Sequence, residues 1–181
     1  MLMPKRKTIF YLTATIVIVM SVFVIFEFRV DGSLIGGLWQ FMRGNQVDYE
    51  RLRITLPRYW LAIHSSEDLV LVHMAGDRTA KVVLMTTLVN DPDKWEQIRP
   101  SWIESRNAKF ESEGYDPITI PTILALGKPA ACLGFTPKSN ETKREIVCAI
   151  ADGHVLATFD GRESDVRNLI SILGSVRALS P

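Results

Sequence analysis

The chain has 181 residues, is 47% hydrophobic and 23% charged, and carries a formal net charge of +1. That length suits one domain of ordinary size plus a tail or anchor, and it excludes a large multidomain enzyme. The composition, with only 11 Gly, 9 Pro and 2 Cys, excludes a wholly disordered chain, a collagen-like chain and a cysteine-dense scaffold.

The charge is unevenly placed. Lys5, Arg6 and Lys7 cluster in a basic tip at residues 1–8, and the 18 residues from Ile9 to Phe26 then carry no charge at all. As a helix this run would span roughly 27 Å, close to the hydrocarbon thickness of a bilayer. It is longer than the apolar core of a cleavable signal peptide, and Phe26-Glu27-Phe28-Arg29-Val30 lacks a small-residue cleavage pattern. The sequence therefore predicts a transmembrane signal anchor over residues 9–28. The bases before it predict an N-terminus in the cytoplasm and a domain outside, periplasmic or extracellular. Without the first 26 residues the chain keeps 18 Lys and Arg against 20 Asp and Glu, a net charge near −2. No basic face is implied, so nucleic acid is not an expected partner.

Residues 29–48 read as a linker. Gly32, Gly36, Gly37 and Gly44 argue against a regular long helix. Yet Leu38, Trp39, Phe41 and Met42 are not what a solvated spacer needs. They are candidates for an interfacial segment at lipid headgroup level or for a partner-binding patch. Packing on the domain's own core is the third reading.

Residues 49–181 read as the folded domain. Arg51 to Leu56 alternates polar and apolar residues, as a half-buried strand does. Leu69–Ala75 and Lys81–Val89 are near-continuous apolar runs, which predict central strands covered on both faces. Gly76-Asp77-Arg78-Thr79 would turn one into the other. Asp91-Pro92 opens a helix carrying Trp95, Ile98 and Trp102 on one stripe, with Gly114 as its stop. Pro100 should kink or split it. Further strands follow at 117–126, 129–136, 144–151 and 154–159, with a turn at Asp152-Gly153. Val166, Leu169, Ile170, Leu173 and Val176 then define an amphipathic helix over 163–178. The order predicts an α+β domain with a mainly antiparallel sheet and two packed helices.

Ile54-Thr55-Leu56-Pro57-Arg58-Tyr59-Trp60 resembles the opening strand-Pro-x-x-Trp of PsbP/Mog1-like domains. The closing strand pair and the helix ending Ile172-Leu173-Gly174-Ser175-Val176-Arg177 are also similar. The likeness covers roughly residues 50–178 as a pattern of elements. It implies an α/β/α sandwich. It also implies a binding or accessory role, since members of that family are mostly such modules, among them extrinsic photosystem subunits and bacterial lipoproteins. No catalytic residue carries over.

Cys132 and Cys148 fall on consecutive strands whose turn centres on Asn140, so opposed positions sum to 280 and the two cysteines face each other. Directly opposed residues lie near the distance a disulfide bridges. A disulfide would place the domain in an oxidising compartment, whereas a register slip of one residue would leave two small buried thiols.

No metalloprotease, nucleophile-elbow, phosphate-loop or dinucleotide motif occurs, and His64, His73 and His154 stand alone. No catalytic, metal or cofactor residue is assigned. His73 reads as a core histidine, Glu104, Glu111 and Glu113 as a solvated helix face, and Asn140-Glu141-Thr142 as a sequon relevant only in a eukaryotic secretory pathway. Trp60, Trp95 and Trp102 read most simply as packing residues, and with His73 they are the candidate lining of a ligand groove. The sequence thus predicts a single-pass, membrane-anchored accessory module, a subunit or assembly factor of an envelope or membrane complex. Its expected partners are lipid through residues 9–28 and a protein in or at the membrane. The alternative is a small extracytoplasmic enzyme or ligand-binding sensor whose site assembles only in three dimensions.

Overall fold

The computed structural model describes residues 15–22, 33–65, 67–74, 80–87, 89 and 91–179. A short helical stretch, α1, occupies residues 15–22, and Ile16, Val17, Ile18, Val19, Met20 and Val22 on it are exposed. Then follow α2 (Ser33–Arg43), β1 (Gln46–Tyr49), β2 (Leu52–Thr55), β3 (Trp60–His64), β4 (Asp68–His73), β5 (Lys81–Thr86) and α3 (Pro92–Ser112). After these come β6 (Tyr115–Ile118), β7 (Leu124–Ala125), β8 (Lys128–Pro129), β9 (Ala131–Pro137), β10 (Lys143–Ile150) and β11 (Val155–Arg162). A 3-10 turn (Glu163–Asp165), α4 (Val166–Gly174) and β12 (Arg177–Ala178) close the chain.

Seven strands form one sheet in the order β3-β4-β5-β11-β10-β9-β6. Each neighbouring pair in it is antiparallel. The inner face presents Trp60, Leu69, Leu71, Val82, Leu84, Phe159, Ile146 and Ile150, all buried. It is covered by Leu169, Ile172 and Leu173 of α4 together with Val47, Tyr49, Leu52 and Ile54 of a three-stranded sheet, β1-β2-β12. Ser175 couples these two covers: its Oγ accepts from the Thr55 N–H at 2.8 Å and lies 3.0 Å from the Thr55 carbonyl. On the other face α3 packs Phe110 and Trp102 against Phe135, Val147 and Leu133 at the β6-β9-β10 end.

Two expectations are corrected here. Among the described residues no helix is long and apolar enough to cross a membrane. Of the span expected over 9–28 only the helical stretch at 15–22 is described, and the rest lies outside the described residues. The described residues therefore do not support the single-pass anchor or the topology drawn from it. The fold is also more dominated by sheet than a helix–sheet–helix sandwich with two packed helices. A second sheet shares the inner face with α4, and α3 covers one end of the outer face. The runs at 69–75 and 81–89 were expected to be buried on both sides, but burial alternates. Leu69, Leu71, Val82 and Leu84 are buried, whereas Val70, Val72, Val83 and Met85 are only partly so. Valine suits the open face because its branched Cβ favours extended backbone, so an apolar run does not by itself report two covered faces.

Smaller departures follow the prolines. The strand expected at 117–126 divides into β6, an edge strand that runs through Pro117 to Ile118, and β7, and Pro121, which has no N–H for a ladder, lies in the break between them. By contrast α3 runs through Pro100 without interruption. The terminal helix stops at Gly174, and Arg177–Ala178 pairs with β2 as a strand. The turn expected at Gly76-Asp77-Arg78-Thr79 lies outside the described residues, although β4 and β5 do pair.

Candidate functional site

The linker segment contains an 11-residue helix, α2, that the glycines argued against. Tertiary contacts outweigh their cost. Trp39 packs against the main core. Gln40 Nε2 donates to the Pro57 carbonyl at 2.5 Å and lies 3.4 Å from that of Trp60. Gly44, at φ +78°, turns the chain out of the helix, its N–H donating to the Gln40 carbonyl at 2.7 Å. The helix is thus held along the start of β3 by one side. On the other side Leu38 is 57%, Phe41 88% and Met42 67% exposed. Of the four patch candidates, then, Trp39 anchors the helix and the other three are exposed, Phe41 most and Leu38 least. Burying each of those three would contribute about 1.5–3 kcal/mol to an association.

The four candidates for a groove do not converge. Trp60 and His73 oppose each other across β3 and β4 and stack at 5.3 Å. Trp60 Nε1 and His73 Nδ1 are buried without a hydrogen-bond partner. Burial pushes the His73 imidazole below its ordinary value, and the buried Asp165 carboxylate opposes that shift. Trp95 and Trp102 meet edge to face at 5.6 Å on α3. Trp102 belongs to the outer-face cluster while Trp60 belongs to the inner core. The sheet separates the two pairs.

Trp95 does border a cavity that sequence reasoning missed. A cleft of about 450 Å³ lies between the first turns of α3, with Trp95, Glu96 and Arg99, and the β7–β8 and β10–β11 turns, with Leu126, Lys128 and Asp152. A second hollow of about 510 Å³ is lined by Ala151 and Asp152 again, together with Glu50, Arg51, Pro92 and His154. Gly153 permits the turn to close over the helix, for a Cβ there would lie 2.4 Å from Trp95 Cε3. Thr87 fixes the same turn, its Oγ1 donating to the Gly153 carbonyl at 2.6 Å. Glu50, Leu126, Ala151 and Asp152, all on these two rims, have φ between 52° and 54°. In the sequence, only the turn at Asp152-Gly153 and the break between the strands at 117–126 and 129–136 hinted at this site. Nothing in the spacing told that they meet the start of α3.

Cys132 and Cys148 form a disulfide, directly opposed in the β9–β10 register. It is a structural link: Cys148 is buried and Cys132 packs against the main core. Among the described residues no cluster of three His, Cys, Asp or Glu side chains could hold a metal ion.

No family model and no curated protein matches this chain. The likeness to PsbP/Mog1-like domains therefore rests on the 54–60 segment and the closing strands and helix alone.

Proposed function

We propose that this chain is a binding or accessory domain that works in an oxidising compartment and recognises a protein partner through the outer side of α2. One observation carries the reading. A helix fastened by Trp39 and Gln40 holds Leu38, Phe41 and Met42 away from the domain, although burying such side chains is favourable. Rigid presentation of aromatic and methionine side chains is how interface anchors are built, since little ordering is left to do on binding. The disulfide supports the compartment.

A photo-crosslinking residue placed at Phe41 in cells tests this, with a second at exposed Glu104 on α3 as control. The reading expects a discrete adduct with one other protein from position 41, absent from position 104 and lost when Met42→Asp is added. Failure to form any adduct at 41, or the same adducts from both positions, would refute it.

A further inference from the structure

We infer that the cleft between α3 and the two turns binds a small zwitterion, an amino acid or dipeptide with an apolar side chain. The backbone marks the place. Leu126, Ala151 and Asp152 on its rim hold left-handed backbone at φ 52–54°, a conformation that costs a side-chain-bearing residue energy and that glycine would adopt freely. Tight hairpin turns require that conformation, and they give the cleft two short, fixed walls between β7 and β8 and between β10 and β11.

The chemistry of the walls selects the ligand. Each wall carries one charge of each sign: Glu96 with Arg99 on α3, 3.1 Å apart, and Asp152 with Lys128 on the turns, 3.8 Å apart. Both pairs are solvent-exposed, so each is worth little as it stands and exchanges partners at small cost. An anion alone would meet Glu96 and Asp152, and a cation alone would meet Arg99 and Lys128. A ligand bearing both charges places its carboxylate against Arg99 or Lys128 and its ammonium against Glu96 or Asp152. Trp95 and Leu126 give its apolar part a surface, and about 450 Å³ is at the small end of the range for ligand pockets.

The full chain would be titrated by calorimetry with L-leucine, L-phenylalanine and the dipeptide Leu-Phe, each beside its N-acetyl and amide derivatives. Saturable binding is expected for a zwitterion, weakened about tenfold or more when either charge is blocked, the equivalent of one lost charge-assisted hydrogen bond. Comparing the amino acids with Leu-Phe separates a free metabolite from a short peptide as the ligand. Arg99→Ala/Lys128→Ala and Glu96→Gln/Asp152→Asn should each weaken binding by a similar factor while the thermal midpoint stays put, since both ion pairs are exposed. No saturable heat at millimolar ligand, equal binding of the blocked derivatives, or unchanged affinity in Arg99→Ala/Lys128→Ala would each overturn the assignment.

Discussion

Gly153 and Trp95 constrain each other. The glycine sits at φ +83°, and a methyl group added to it would overlap the indole. Gly127 has almost the same backbone, φ +75°, with nothing near the missing Cβ. The two positions therefore separate conformational strain from overlap. Gly127→Ala is expected to destabilise the fold by about 1 kcal/mol, from left-handed strain alone. Gly153→Ala should cost about 3 kcal/mol, because overpacking is added. Urea unfolding of both variants measures this, and equal losses would mean that the indole moves aside freely. His73 supplies a pH-dependent counterpart. Its folded-state pKa is depressed, mainly by burial, so between that value and the ordinary 6.5 or so the unfolded chain binds a proton that the folded chain does not. Stability then rises with pH through this window, and the contribution of a neutral His73 is lost as pH falls through it. In His73→Phe, the slope of stability just below the ordinary imidazole value of about 6.5 should flatten, and an unchanged slope would assign the titration elsewhere. Sequence reasoning marked His73 as a core histidine, whereas it is half-buried with Nδ1 unpaired. The Trp60 stacked on it and the Asp165 acting on it were invisible, because both come from register and from a turn about 90 residues away.

At the scale of elements, the departures from expectation share one cause: tertiary contacts overrode local propensity. Gly36 and Gly37 each cost a helix about 1 kcal/mol relative to alanine, yet α2 forms because Trp39 and Gln40 hold it to β3 and the core. Pro100 shows the converse. It is exposed on α3, it removes a backbone hydrogen bond, and the helix persists because Trp95, Trp102 and Phe110 fix it at both ends. The strain stays in the native state and is recoverable. Pro100→Ala should stabilise the domain by about 1–3 kcal/mol, read as a raised urea midpoint with an unchanged slope. A loss of stability would show that the proline shapes the helix rather than interrupting it. Ser175 is the most economical link between elements, since its hydroxyl meets both the N–H and the carbonyl of Thr55. Ser175→Ala leaves that N–H unpaired beneath the small sheet, and a loss of about 1–3 kcal/mol is expected.

Across the whole molecule, what could be read in advance were relations that depend on counting along one hairpin. The Cys132–Cys148 bond followed from a turn centre and two positions, and the β9–β10 register bears it out. Relations between elements far apart in the chain could not be counted. The open half of the seven-stranded sheet, the three-stranded cover over its inner face and the cleft beneath the β10–β11 turn all depend on such relations. The disulfide also decides how the fold responds to its surroundings. It closes a loop of 16 residues, and in the chain-entropy account a loop of that size restricts the unfolded chain by about 3 kcal/mol. The native strands are already paired by backbone hydrogen bonds, so reduction should leave the fold in place and weaken it. Cys132→Ala/Cys148→Ala, or wild type under a strong reductant, is expected to lose about 3 kcal/mol in urea unfolding while keeping its far-ultraviolet spectrum. Because the loss arises in an unfolded state that expands without the cross-link, the urea slope should rise as the midpoint falls. Reduction that abolishes the native spectrum would show instead that the bond, and not the paired sheet, holds β9 against β10.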